Sequence, residues 1–86
     1  MTMKTVLITG CSSGFGKLSV KKFHHEGWNV IATMRSPEKE HELTEIDNVL
    51  VTRLDVTDLE SIKQAVDEGV ARFGSIDVLI NNAGYG

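Results

Sequence analysis

Hydrophobic positions follow two patterns along this chain. Short runs with little polar interruption, beginning with Thr5-Val6-Leu7-Ile8, predict strands buried on both faces. The pattern places strands at residues 4–9, 29–34, 49–54 and 76–80. Between them the apolar positions recur every three or four residues, which predicts helices. The first helix runs from residue 13 or 14 to 26, with Phe15, Leu18 and Phe23 on one face and Lys17, Lys21, His24 and His25 mostly elsewhere. Gly27 suits a left-handed stop. A second, short and polar helix is expected from Ser36 as N-cap and Pro37 at the first position to about residue 43, with Glu38 and Glu40 at the positive end of its dipole. The third runs on Leu59, Ile62, Val66, Val70 and Phe73, opened by the capping-box pair Thr57 and Glu60 and closed by Gly74.

Strand and helix therefore alternate, which implies parallel strands joined by right-handed crossovers. The expected class is α/β: a Rossmann-like doubly wound parallel sheet, its first four strands in the order 3-2-1-4. In that order the chain reverses direction across the sheet between strands one and four. The turn after strand one and the end of strand four then face one crevice.

Composition narrows the partners. The chain has 86 residues, so it is one small domain at most, and 41% of its residues are hydrophobic, as in ordinary globular proteins. A net charge of −3 and a pI near 5.5 give nucleic-acid binding no electrostatic support. The single cysteine, Cys11, forms no internal disulfide and fits a reducing compartment. No stretch resembles a signal peptide or a membrane span, which makes the cytoplasm the default location.

The candidate chemistry begins at Thr9-Gly10-Cys11-Ser12-Ser13-Gly14-Phe15-Gly16. A strand that turns through glycines into a helix N-terminus presents unpaired N–H groups and a positive dipole end to a phosphate. A nucleotide-triphosphate loop is excluded: Gly10 to Gly16 is one residue too long, and Leu18 stands where a metal-binding hydroxyl is needed. A tight turn without a ligand is the plain alternative. Cys11 near a helix N-terminus is a weak thiolate candidate, more simply a small residue in a tight turn. His24, His25 and His41 lack metal-ligand spacing, so no metal is expected. Trp28 reads as core or edge packing.

The glycine spacing, with Asp55-Val56-Thr57 after the third strand and Asn81-Asn82-Ala83-Gly84 after the fourth, resembles the classical short-chain dehydrogenases/reductases. The resemblance spans nearly the whole chain. It implies that Gly10, Ser12, Ser13, Gly14, Phe15 and Gly16 wrap the pyrophosphate and adenosine ribose of a nicotinamide dinucleotide. Asp55 would accept from the adenine amino group, with Val56 beside the ring. Asn82, Ala83 and Gly84 would line the ribose side, and Asn81 would tie the central strands. The plain alternatives are a loop-side polar group for Asp55 and a turn residue for Asn81.

Cofactor choice follows from charge. An acid about 20 residues past the glycine turn would accept from the ribose hydroxyls of NAD and repel a 2′-phosphate. Here that place reads Thr33-Met34-Arg35-Ser36, with a guanidinium fork suited to phosphate, which favours NADP over NAD. The resemblance also implies hydride transfer to or from a small-molecule carbonyl or alcohol, in a homo-oligomeric protein. The family's catalytic serine and Tyr-x-x-x-Lys pair have no counterpart in these residues. Tyr85 has no lysine four positions on, and no residue is assigned a catalytic role. The chain is thus expected to be the cofactor-binding part of a longer reductase, inactive alone, with strand four as an open apolar edge. The alternatives are a non-catalytic dinucleotide-binding module or sensor, and a structural fragment that binds nothing.

Overall fold

The computed structural model describes residues 3–12 and 14–82. Its sheet has four parallel strands in the order β3-β2-β1-β4. They are β1 (Thr5–Ile8), β2 (Asn29–Met34), β3 (Val49–Arg53) and β4 (Val78–Ile80), with helices α1 (Gly14–His25) and α2 (Leu59–Phe73) in the crossovers. This is the Rossmann-like arrangement that the alternation predicts.

Strand periodicity sorts the core into two layers. Val6 and Ile8, with Val30, Ala32 and Met34, point to one face, where they pack with Cys11, Val20 and Leu43. Leu7 and Ile31 point to the other, with Leu54 and Ala65. Each helix therefore covers its own face, and the sheet is buried between them. The edge strand is different: Leu79 in β4 is 61% exposed, as an open apolar edge should be.

Both helices sit differently from the expected phase. In α1 the stripe facing the sheet is Gly16, Val20 and Phe23, whereas Phe15 is 80% exposed and Leu18 also faces outward. The cause is a backbone contact. A Cβ on Gly16 would lie 2.0 Å from the Gly10 carbonyl oxygen, so the turn and the helix touch at residue 16, and this sets the rotation of the helix. Phe23 then meets the Trp28 ring edge-on, with centroids 5.1 Å apart.

In α2 the buried stripe is Ser61, Ala65 and Gly69, flanked by Ile62, Val66 and Phe73. Leu59 is 81% exposed and Val70 is exposed as well. A Cβ at Gly69 would lie 2.2 Å from Ile31 Cδ1. Small residues let the helix approach the sheet closely, and the larger apolar ones fill its flanks. Its N-cap is Asp58, whose carboxylate accepts from the Glu60 N–H at 3.1 Å. Thr57 does not form the expected capping box, because it donates to Asp55 instead.

The expected polar helix after β2 is absent. Two 3₁₀ turns, Pro37–Lys39 and Leu43–Glu45, stand in its place, and Ser36 makes no side-chain cap. The segment has too few apolar residues to hold a full helix on the sheet: within these turns only Leu43 is buried. Glu40, rather than complementing a dipole, is folded inward as a buried carboxylate.

Candidate functional site

The C-terminal ends of β1 and β4 meet where the strand order reverses, and the glycine turn leaves β1 at that place. Thr9 locks the two together. Its N–H donates to the Ile80 carbonyl at 3.0 Å, and its hydroxyl donates to Asn81 Oδ1 at 2.9 Å while accepting from the Asn82 N–H at 2.7 Å. The Asn82 side-chain amide donates to the Gly10 carbonyl at 3.3 Å. Asn81 therefore ties β1 to β4, and Asn82 braces the glycine turn.

On its other side the turn is fixed to β2. The Cys11 N–H donates to the Thr33 carbonyl at 3.0 Å, and the Thr33 hydroxyl donates to the Ile8 carbonyl at 2.8 Å. The Cys11 thiol is fully buried and donates to Ile8 O at 3.1 Å. Burial pushes its pKa to about 12, against the hydrogen bond with Thr33, and nearby Glu40 raises it further. It is therefore a packed thiol, inert at neutral pH, rather than a reactive thiolate.

Gly10 and Gly14 take φ of 66° and 60°, and the helix opens at Gly14 with no acid in its first turn. Added Cβ atoms would meet nothing at Gly14 but would collide at Gly16 with Gly10 and the Asn82 amide. The inner side of the turn is closed by packing. Its outer side, carrying Ser12, Gly14 and Phe15, is open in front of the α1 N-terminus. An anion can reach those N–H groups, so the turn fits a diphosphate. Ser13, Ala83 and Gly84, also expected at the site, lie outside the described residues.

Asp55 and Val56 follow β3 on the same edge of the sheet. Asp55 Oδ1 accepts from the Thr57 N–H at 3.0 Å and from its hydroxyl at 2.7 Å. These two bonds hold the Asp55 carboxyl below the ordinary range, helped by Arg35 and Arg53 and opposed by partial burial. Val56 is exposed. Arg35 is exposed at the end of β2, close enough to Asp55 to influence its charge. Among the described residues no group of histidine, cysteine and carboxylate side chains could hold a metal, and no helix is long and apolar enough to cross a membrane.

The family model for the short chain dehydrogenases matches residues 4–86. The chain belongs to that family. A short-chain dehydrogenase relative in Schizosaccharomyces pombe, an uncharacterized oxidoreductase, is 46% identical over 99% of this chain and 28% of its own length. The NADPH-dependent 1-acyldihydroxyacetone phosphate reductase of the same yeast is also 46% identical, over 94% of this chain and again 28% of its own. In structure, the 3-ketoacyl-(acyl-carrier-protein) reductase of Brucella melitensis, solved with NADH, superposes with a TM-score of 0.83 at 32% identity, covering 91% of this chain and 33% of that one. The chain thus spans about a third or less of the length of these short-chain dehydrogenase relatives.

Two groups near the site had no clear mark in the sequence. Glu40 accepts from the N–H groups of Glu42 and Leu43 at 2.9 and 2.8 Å and pairs with Lys17 Nζ at 3.2 Å. Burial would raise its pKa, but the Leu43 N–H, Lys17 and the Glu42 N–H together hold it below the ordinary value. Lys17, hydrogen-bonded to Glu40, is held above its ordinary value. Lysine one residue past the last glycine reads as a solvated helix face until the segment after β2 is laid over it.

Proposed function

We propose that this chain is the cofactor-binding part of an NADP-dependent oxidoreductase acting on a small-molecule carbonyl or alcohol. The observation that carries this reading is the open N-terminus of α1 at the point where strand order reverses, with the glycine turn braced by Thr9 and Asn82. The cofactor supplies hydride transfer. The N–H groups at the start of α1 hold its diphosphate, Gly10, Ser12, Ser13, Gly14, Phe15 and Gly16 wrap it, and Asn82, Ala83 and Gly84 line the ribose side. The Asp55 carboxylate, kept charged by Thr57, accepts from the adenine amino group through Oδ2, beside Val56.

The preference for NADP rests on Arg35. It is exposed, it stands where an acid would select NAD, and it makes no ion pair within 4 Å with a described carboxylate. The NADPH dependence of one yeast relative supports the same choice. The rest of the protein supplies the proton-transfer residues, the substrate pocket and the contacts of a homo-oligomer. Its inert single thiol suits the reducing cytoplasm.

Titration with NADPH and with NADH tests this. Arg35→Ala should weaken NADPH about tenfold, as loss of a charge-assisted phosphate contact does, and leave NADH nearly unchanged. Equal weakening of both would remove the case for NADP. No binding of either would remove the function.

A further inference from the structure

We infer that Glu40 is a positioning residue for cofactor selection: through Lys17 it fixes the segment after β2 at a set distance from the glycine turn. This rests on the NADP reading above. A cleft of about 330 Å³ lies between these two parts of the chain. Ser12, on the glycine turn, lines one side, and Ser36 and Lys39, on the segment that leaves β2, line the other. Arg35 directly precedes the lining Ser36, so both it and the lining Lys39 move with this segment.

Leu43 and Glu40 anchor that segment. Leu43 is an apolar peg in the α1-side core. Glu40 gathers the turn onto its own carboxylate: Oε2 takes the Glu42 and Leu43 N–H groups, and Oε1 takes the Lys17 ammonium from the first turns of α1. The Glu40 side chain is only 4% exposed and that of Lys17 25%, so this link is screened less than a surface pair. Glu42 also meets Lys17, at 3.5 Å, and Lys21, but its side chain is 53% exposed and those contacts are screened. The stiff connection between the two walls is therefore Glu40–Lys17.

Charge around the cleft is divided accordingly. Lys17 and Lys21 are matched by Glu40 and Glu42. Lys39 in the lining, and Arg35 one residue before the lining Ser36, have no described carboxylate within ion-pair distance, so positive charge without an ion-pair partner lies at this side of the cleft. A 2′-phosphate would meet that wall; a cofactor without the phosphate would not. Cutting the link should therefore change the ratio of the two affinities rather than both alike.

The test is titration calorimetry of the protein carrying this chain with NADPH and with NADH. Glu40→Gln keeps an oxygen for the two backbone N–H groups but turns an amide against the Lys17 ammonium. It also adds one unit of positive charge. If Glu40 acted only through charge, NADPH would bind more tightly. Positioning predicts the opposite sign: NADPH weakened about tenfold, NADH within about twofold. Lys17→Gln also removes a positive charge, so the deciding variant is the double change Lys17→Gln with Glu40→Gln, which keeps the net charge: positioning predicts the same fall in ratio, charge alone predicts none. Lys17→Arg, which can still reach Glu40, should keep the original ratio. An unchanged ratio, or tighter NADPH, in these link-breaking variants overturns the inference while leaving the NADP reading standing. A parent protein with no preference for NADPH overturns both.

Discussion

The crossovers after β2 and after β3 are built on different physics. The one after β3 is α2, which lies against the sheet because Ser61, Ala65 and Gly69 are small enough to let it. Shape holds it. The crossover after β2 is a pair of 3₁₀ turns with one buried apolar side chain and one buried carboxylate. One fully buried peg, Leu43, with Ile46 half-buried beside it, and a charge hold it. Packing over a stripe resists changes of pH and salt, whereas a crossover hung on a carboxylate responds to both. The responsive crossover is the one beside the candidate cofactor cleft.

The largest expected effect is at the peg. Leu43→Ala should cost about 2–5 kcal/mol in urea unfolding, because a fully buried leucine leaves a cavity in the α1-side core. A cost under about 1 kcal/mol would mean that charge alone holds the segment. On the other face, Gly69→Val should destabilise by about 1–3 kcal/mol, since the new Cβ must displace Ile31. A neutral result there would mean that α2 shifts freely, and the contrast would lose its basis.

Acid provides the next test. The folded-state pKa of Glu40 is depressed, so its contribution to stability is complete above the unfolded value and is lost as pH falls through the folded one. The loss should therefore begin below the ordinary glutamate value of about 4.3, and Glu40→Gln should flatten part of it. Asp55 and Glu42, also depressed, keep the remainder. A pH profile of unfolding midpoints that is identical in the variant would show that Glu40 adds nothing. The smallest effect is expected at the exposed Lys63–Asp67 pair on α2, at 3.0 Å. Asp67→Asn should change stability by about 0.5 kcal/mol or less, and 1 M salt should abolish even that.

How far each element was legible depended on the range of its causes. The strands were readable because Val6 to Ile8 and Val30 to Ala32 are apolar without a break, and only a doubly covered parallel sheet buries such runs. Family membership was readable because the glycine turn and the residues after β3 and β4 are local signatures. The crevice followed from strand order, itself a consequence of alternation and crossover handedness.

Helix rotation depended on distant contacts. Phe15 and Leu59 looked like core residues and face outward, because the phase of each helix was set by a close approach, at Gly16 to the turn and at Gly69 to Ile31. A glycine shows that an approach is possible, but its partner is named only once the chain has folded. The cap moved from Thr57 to Asp58 because Asp55 competes for the threonine. Glu40 looked like one acid among several in a polar stretch. Its burial depends on Lys17, twenty-three positions earlier, and on two N–H groups that converge only when the 3₁₀ turn forms. Hydrophobic period and glycine spacing are written along the chain and fix what lies next to what in the sheet. Rotation, capping and the placement of a buried charge are settled by contacts across it, where several groups compete for one position.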